Sequence, residues 1–393
     1  MAELLIRNGS IYAPEFLGEK DILIIGNKVI KIATAIDVGS LLRCLPDVEV
    51  IDAKGKVVVP GFIDQHVHLI GGGGETGFAS RTPEIALSSI IKAGVTTVVG
   101  LLGTDGFARS VEALFAKAMG LETEGITTLI YTGSYKTPSV TITGSIARDI
   151  MFVDKVIGVK MALADHRSSN FTFEELTRLA ADARVAGMLS GKPGLVHIHM
   201  GEGKEGLNMV MEAVRTTEIP VTQFIPTHVT RSKELFMQAK EFAKRGGRID
   251  ITSYGELTPA DEIKPSRAIM ECLREGVPVG NVAVSSDGNG SVPKYDSQGN
   301  IIGMGVGRIE ASQLVLKNLV IEEGLGLETA LRFFTSNVAS ILGICPEKGY
   351  IKEGSDADIV IMDREFNIDM VLAKGRKMMT SGEVMIKGTY ETC

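Results

Sequence analysis

Apolar and polar positions follow two different rhythms along this chain, and the change of rhythm divides it. From Asp21 to Ala33 (DILIIGNKVIKIA) two apolar runs flank Gly26-Asn27, the spacing of a two-residue β-hairpin. Roughly the first 55 residues read as β-structure, and the last 45 or so behave alike. There Ala357–Met362 (ADIVIM) is a short apolar strand, with turn-like GSD before it and DRE after it. Neither end carries a long helical period. The two ends, residues 1–58 and 347–393, are therefore expected to pair into one small β-sandwich domain that places the termini together.

Between them, over residues 59–346, short apolar strands alternate with helices. Strands are predicted at Gly61–His68, Thr96–Leu101, Thr127–Gly133, Val156–Met161, Leu195–Met200, Val221–Val229, Arg248–Ser253 and Val282–Asp287. One intervening helix is expected to open at Thr82-Pro83-Glu84, an N-cap followed by proline, and to stop near Gly94. Another opens at Thr172 with Glu175 as a capping box, then sets Leu176, Leu179, Ala180 and Ala183 on one face. Such strand–helix units suit an α/β chain folded as a (β/α)₈ TIM barrel, an architecture of typically ~250 residues. A doubly wound open sheet is the rival, disfavoured because no G-x-G-x-x-G follows the first strand of this region.

Composition narrows the classes. A chain of 393 residues exceeds one compact core, which agrees with a large and a small domain. Net charge is −7 with no Lys/Arg run, so neither nucleic acid nor an anionic membrane is an expected partner. Cys44, Cys272, Cys345 and Cys393 are scattered without a CxxC and read as reduced thiols. The start, MAELLIRNGSIYAP, is not a signal peptide, and no apolar run is long enough to span a membrane. A soluble, cytoplasmic protein is expected. Gly203-Lys204 lacks the rest of a P-loop, the glycines of Gly303–Gly307 lack a Rossmann context, and no G-x-S-x-G elbow occurs.

The chemistry concentrates in the histidines. His66 and His68, two apart at the end of the first barrel strand, point to the same side and form a chelating pair. His199, His228 and Asp287 end the fifth, sixth and eighth strands, where a TIM barrel exposes its catalytic mouth. Lys160 interrupts the apolar fourth strand (VIGVKMAL), where a buried ammonium is costly unless paired or neutralised. A cationic lysine cannot bind a metal, but CO₂ addition would turn its amine into an anionic carbamate with two oxygens. His197 shares the face of His199 one pleat deeper and reads as a packed, hydrogen-bonded core histidine. His166 reads as structural or as a supporting residue behind the ligands.

This set, HxH on strand one, Lys on four, His on five and six, and Asp on eight, resembles the binuclear centre of the amidohydrolase superfamily. HVHLIGGGGETG, VIGVKMALADHRS, HIHMGEG, PTHVTR and SSDGNGS are similar to segments of the isoaspartyl (β-aspartyl) dipeptidases within it, whereas GSDADIVIMD resembles the superfamily at large. The resemblance runs over nearly the whole chain. It implies a metallo-dipeptidase with two Zn²⁺ per subunit. His66 and His68 would hold one, His199 and His228 the other, and N6-carboxylated Lys160 would bridge them. Asp287 would bind the first metal and act as general base and then acid around a bridging hydroxide. Tyr135 would hydrogen-bond the developing oxyanion.

For the substrate, a small dipeptide, the resemblance implies Glu75 on the α-ammonium, and Thr104, Ser291 and the Gly73 backbone on the aspartyl α-carboxylate. Glycines at 71–74 allow close backbone approach and are expected to leave N–H groups free for a carboxylate. Arg167 and Arg231 would fork onto the C-terminal carboxylate. A homo-oligomer is also implied. Two other readings stay open: a cyclic-amide hydrolase of the hydantoinase or dihydroorotase type, and a non-catalytic scaffold on the same fold.

Overall fold

A computed structural model describes residues 3–257, 263–295 and 301–391. Its centre is a parallel eight-stranded sheet whose strands follow one another in chain order. They are β1 (Phe62–Val67), β2 (Val95–Gly100), β3 (Thr127–Gly133), β4 (Val156–Leu163), β5 (Leu195–Met200), β6 (Phe224–Thr227), β7 (Ile249–Thr252) and β8 (Val282–Ser285). The first and last strands meet through a parallel bridge between Val67 and Gly288, and His68 N–H donates to Gly288 O at 2.8 Å. The predicted barrel and its eight strands are all present, with strand ends displaced by a few residues.

Two apolar layers hold this barrel. Outside it, Val98, Val159, Val196, Ile198 and Ile251 pack against helix residues such as Leu114, Leu176, Leu179, Phe236 and Ile269. At the other, Ile63, Ile157, Leu195, Ile225 and Ala283 pack with Val338, Ile341 and Leu342 of the helix Ser336–Leu342. Those strand residues lie near strand starts, so this helix closes the N-terminal face and leaves the C-terminal ends for chemistry.

Local signals succeed where nothing competes for the side chain. The Thr172/Glu175 capping box forms as expected and starts the helix Phe173–Ser190. The helix expected at Thr82 instead runs Leu87–Lys92 behind Ala86, with no side-chain cap. Thr82 is diverted: its hydroxyl accepts Gly72 N–H at 2.6 Å and donates to Asn289 O at 2.5 Å, tying two loops of the mouth.

Both chain ends join one mixed nine-stranded sheet, with Val57–Pro60 antiparallel to Ile359–Met362 at its middle. The Phe16–Ile25/Lys28–Ala33 hairpin turns at Gly26-Asn27 as expected. Leu4, Ile6, Ile22, Ile24, Val58, Ile359 and Leu372 form its core. A short helix, Val38–Cys44, capped by Asp37, interrupts the β-rich N-terminal segment and packs Val38 and Leu41 near Leu5 and Leu23. The GSDADIV segment acts as a clasp. Asp358 accepts Lys348 Nζ and Lys374 N–H, each at 2.7 Å, and Asp356 pairs with Lys28 and Lys348 at 2.7 Å.

Glu122 links the two parts, accepting Lys155 Nζ at 2.7 Å from the barrel and Lys374 Nζ from the terminal sheet. Burial works to raise its pKa, but the two lysines outweigh it and hold the carboxyl down at about 2. A depressed folded-state pKa contributes stability above the unfolded value, lost as pH falls through the folded one. Glu122→Gln is therefore expected to cost about 1 kcal/mol at neutral pH, discounted for partial exposure. The deficit should vanish below about pH 2, which denaturant melts of both proteins from pH 7 to 2 would check. A constant deficit across that range would remove the ion-pair explanation.

No helix among the described residues is long and apolar enough to cross a membrane.

Candidate metal centre and substrate pocket

The sites of chemistry sit where short strands end abruptly. His66 lies within β1 and His68 one residue past it, Lys160 lies inside β4 and His199 inside β5. His228 and Asp287 follow β6 and β8 in the left-handed region, at φ 61° and 56°. That conformation is strained for a residue with a Cβ and collects at functional sites. All six side chains are buried. Glycines make room for them: a Cβ on Gly103 would fall 2.9 Å from His68 Cε1.

Asp287 Oδ1 lies 3.3 Å from His66 Nε2 and 3.1 Å from His68 Nε2. Neither His66 Nε2 nor Asp287 Oδ1 makes a directed hydrogen bond despite this closeness. With bonds of about 2.0–2.1 Å, tetrahedral zinc ligands stand roughly 3.3 Å apart. The three atoms thus have the spacing of donors around one cation, and they form one of two such groups among the described residues.

The remaining ring nitrogens are anchored from behind, as metal-binding imidazoles usually are. His66 Nδ1 lies 2.8 Å from His197 Nε2, and His197 in turn stacks on Tyr131 with ring centroids 4.9 Å apart. His228 Nδ1 lies 2.7 Å from Thr252 Oγ1, leaving Nε2 4.0 Å from Asp287 Oδ2. His199 Nε2 lies 2.8 Å from Asp165 Oδ2, while its Nδ1 meets the Tyr135 hydroxyl. His199 and His228 face each other with centroids 4.6 Å apart.

Lys160 is fully buried, and its Nζ has no hydrogen-bond partner among the described residues. Burial pushes its amine down to about 7. An orphaned, partly neutral amine close to the His66, His197 and His199 imidazoles and the Asp287 and Asp250 carboxylates fits a group that becomes an anionic ligand. Burial also pushes His66 down to about 3, with nearby Lys160 acting the same way, so its ring is neutral and able to bind metal. Asp287 stays ionised: burial works to raise its pKa, but His228 and the contacts to His66 and His68 outweigh that.

The structure adds two buried acids, Asp250 and Asp64, that no sequence motif marks. Asp250 in β7 accepts Gln65 Nε2 at 2.8 Å, Thr227 Oγ1 at 2.5 Å and Ser285 Oγ at 2.6 Å. Burial raises it to about 6, and with His66 and His197 it forms the second candidate metal-binding group. Asp64 accepts His66 N–H and Ser286 N–H, and burial raises it to about 7. Both interrupt apolar strands (GFIDQH and RIDITS), the signal that marked Lys160 and could have marked them.

Around these side chains, residues distant in sequence converge. Glu75 Oε1 accepts Thr104 Oγ1 at 3.3 Å, Ser291 Oγ at 3.1 Å and Arg167 Nη1 at 3.3 Å. Arg167 and Arg231 both reach His199 Nε2, at 3.2 and 3.0 Å, and both approach Asp165. Burial raises the Tyr135 phenol, so at neutral pH it remains a hydrogen-bond donor. Two expectations need correcting. His166 turns its side chain to solvent, 91% exposed, and the supporting residue of that loop is its neighbour Asp165. Gly71, Gly72 and Gly74 do not keep free N–H groups, because they donate to His68 O, Asn289 O and Ser80 O to hold the tight loop.

A barrel with these side chains gathered at its C-terminal mouth can be set beside known proteins. Residues 57–378 match the Amidohydrolase family. The chain belongs to that family. It is a hydrolase of that family, similar to a β-aspartyl dipeptidase from the thermophilic, keratin-degrading Fervidobacterium islandicum AW-1, solved in complex with the β-Asp-Leu dipeptide. The two are 45% identical with a TM-score of 0.88, covering 97% of this chain and 98% of that one. A dihydropyrimidinase from Brevibacillus agri NCHU1002 shares the fold at 19% identity and TM-score 0.68, covering 98% of this chain and 96% of that one. A dihydroorotase from Streptococcus thermophilus (strain CNRZ 1066) is 24% identical over 92% of this chain and 90% of its own length.

Proposed function

We propose that this chain hydrolyses β-aspartyl dipeptides at a two-zinc centre. His66, His68 and Asp287 would hold one ion, His199 and His228 the other, and carboxylated Lys160 would bridge them. The observation that carries the substrate class is the convergence of Glu75, Thr104, Ser291 and Arg167 beside the ligand cluster. An anion-binding and an ammonium-binding group within one pocket match a β-aspartyl unit, whose α-ammonium and α-carboxylate share one carbon. Cyclic amides such as dihydroorotate carry no ammonium for Glu75 to meet.

When bound, the two metals would supply water of lowered pKa and polarise the scissile carbonyl. The chain's own groups would do the rest. Ionised Asp287 would take the proton of the attacking water and pass it to the departing amide nitrogen, acting as base and then acid. Tyr135 O–H would donate to the oxygen on which charge develops. Glu75 would receive the ammonium, Thr104, Ser291 and the backbone at Gly73 the α-carboxylate, and Arg167 with Arg231 the C-terminal carboxylate.

Rates on β-Asp-Leu, α-Asp-Leu and dihydroorotate test this directly. The β-isomer is expected to be favoured in kcat/KM over the α-isomer by about 10²-fold or more, since the wrong isomer leaves pocket groups unpaired. Equal rates on the two isomers, or turnover of the ring alone, would overturn the pocket assignment. Less than one metal per chain after zinc supplementation would favour a non-catalytic scaffold.

A further inference from the structure

Asp165 carries a charge that the substrate contacts above do not use. It follows β4 directly after Ala164, itself in the left-handed region at φ 53°. Its Oδ1 accepts Arg167 Nε at 2.9 Å and Arg167 N–H at 2.8 Å, and its Oδ2 accepts Arg167 Nη2 at 2.7 Å. The same Oδ2 lies 3.6 Å from Arg231 Nη1, and the side chain is only 3% exposed. The Nε/Nη2 edge of the Arg167 fork is therefore already filled by the Asp165 carboxylate.

The charges can be counted. Arg167 and Arg231 bring two positive charges to this side of the pocket, and Asp165 cancels one. Glu75 also lies 3.3 Å from Arg167 Nη1, but in the proposed complex its charge is balanced by the substrate's α-ammonium. One unbalanced positive charge remains, enough for a single incoming carboxylate. We propose that Asp165 is a specificity-determining residue. It limits the arginine pair to one carboxylate, so that dipeptides with a neutral C-terminal residue are favoured over those with an acidic one. This deepens the β-aspartyl reading and rests on it for the identity of the substrates.

The test is the ratio of kcat/KM for β-Asp-Glu to that for β-Asp-Leu in wild type, Asp165→Asn and Asp165→Glu. Removing the charge is expected to raise the ratio about tenfold, chiefly through KM, because an uncancelled guanidinium then favours a second carboxylate. Asp165→Glu keeps the charge and should keep the wild-type ratio to within about threefold. Asp165→Ser gives the same reading if the Asn variant does not accumulate as folded protein. Metal-free protein supplies a second readout by calorimetry. There the affinity for N-acetylglutamate relative to N-acetylleucine should shift in the same direction. An unchanged ratio, or equal losses on both dipeptides, overturns the proposal, since a merely structural role would lower both alike. If wild type cleaves neither dipeptide, the β-aspartyl activity falls, while the calorimetric ratio still decides the role of Asp165.

Discussion

Asp287→Asn is expected to lower turnover of β-Asp-Leu by about 10²–10⁴-fold, the usual contribution of a positioned acid–base group. The substitution is nearly isosteric, so the left-handed turn after β8 should survive. The Asn oxygen can still approach His66 Nε2 and His68 Nε2, which lie 3.3 and 3.1 Å from the present carboxylate. What it cannot do is accept the water's proton and deliver it to the leaving nitrogen. Metal content must be measured on the same sample, so that the rate is compared at full occupancy. Turnover within about tenfold of wild type at equal metal content would exclude Asp287 from proton transfer.

Lys160→Met should be as damaging by a different route. The buried Nζ has no hydrogen-bond partner among the described residues, and burial pulls it to about 7, so neutral amine is abundant at neutral pH. Attack of that amine on CO₂ forms an N–C bond, releases one proton and leaves an anionic carbamate. Methionine fills similar volume without that nitrogen. The expected results are loss of most bound metal and more than about 10³-fold of turnover, about 4 kcal/mol of barrier. Thermal stability should be unchanged or higher, because an unpaired buried amine is costly. Wild type supplied with ¹³C-bicarbonate should show a carbamate carbon signal that the Met variant lacks. Full metal content and no such signal in wild type would remove the carbamate.

Several parts of the site were legible one residue at a time, because each broke a local rule. Lys160 in an apolar strand did so, and so did paired histidines at a strand end. The same rule-breaking marks Asp64 and Asp250, but no motif accompanies them in the sequence. Asp165 stands beside His166, and the inward-facing member of the pair is the carboxylate, not the imidazole. Spacing could not separate the two, since only the turn after β4 decides which of them points inward. The misplaced helix start at Thr82 has the same origin: its hydroxyl met a backbone group from a distant loop before it could cap its own helix.

The sequence by itself determined the alternation of strands and helices, the hairpin at Gly26-Asn27, the capping box at Thr172 and the histidines and Asp287 placed at strand ends. These follow from periodicity and short-range hydrogen bonding, which act within a few residues. Only the tertiary structure decided which atoms meet. Asp287 comes within reach of His66 and His68 because the barrel closes between β1 and β8, a contact more than two hundred residues apart in the chain. The pairing of Glu75 with Thr104, Ser291 and Arg167 likewise draws on four separate segments of the chain. The physical reason is that a hydrogen bond or ion pair depends on ångström-scale position, and the packing of the whole barrel sets that position.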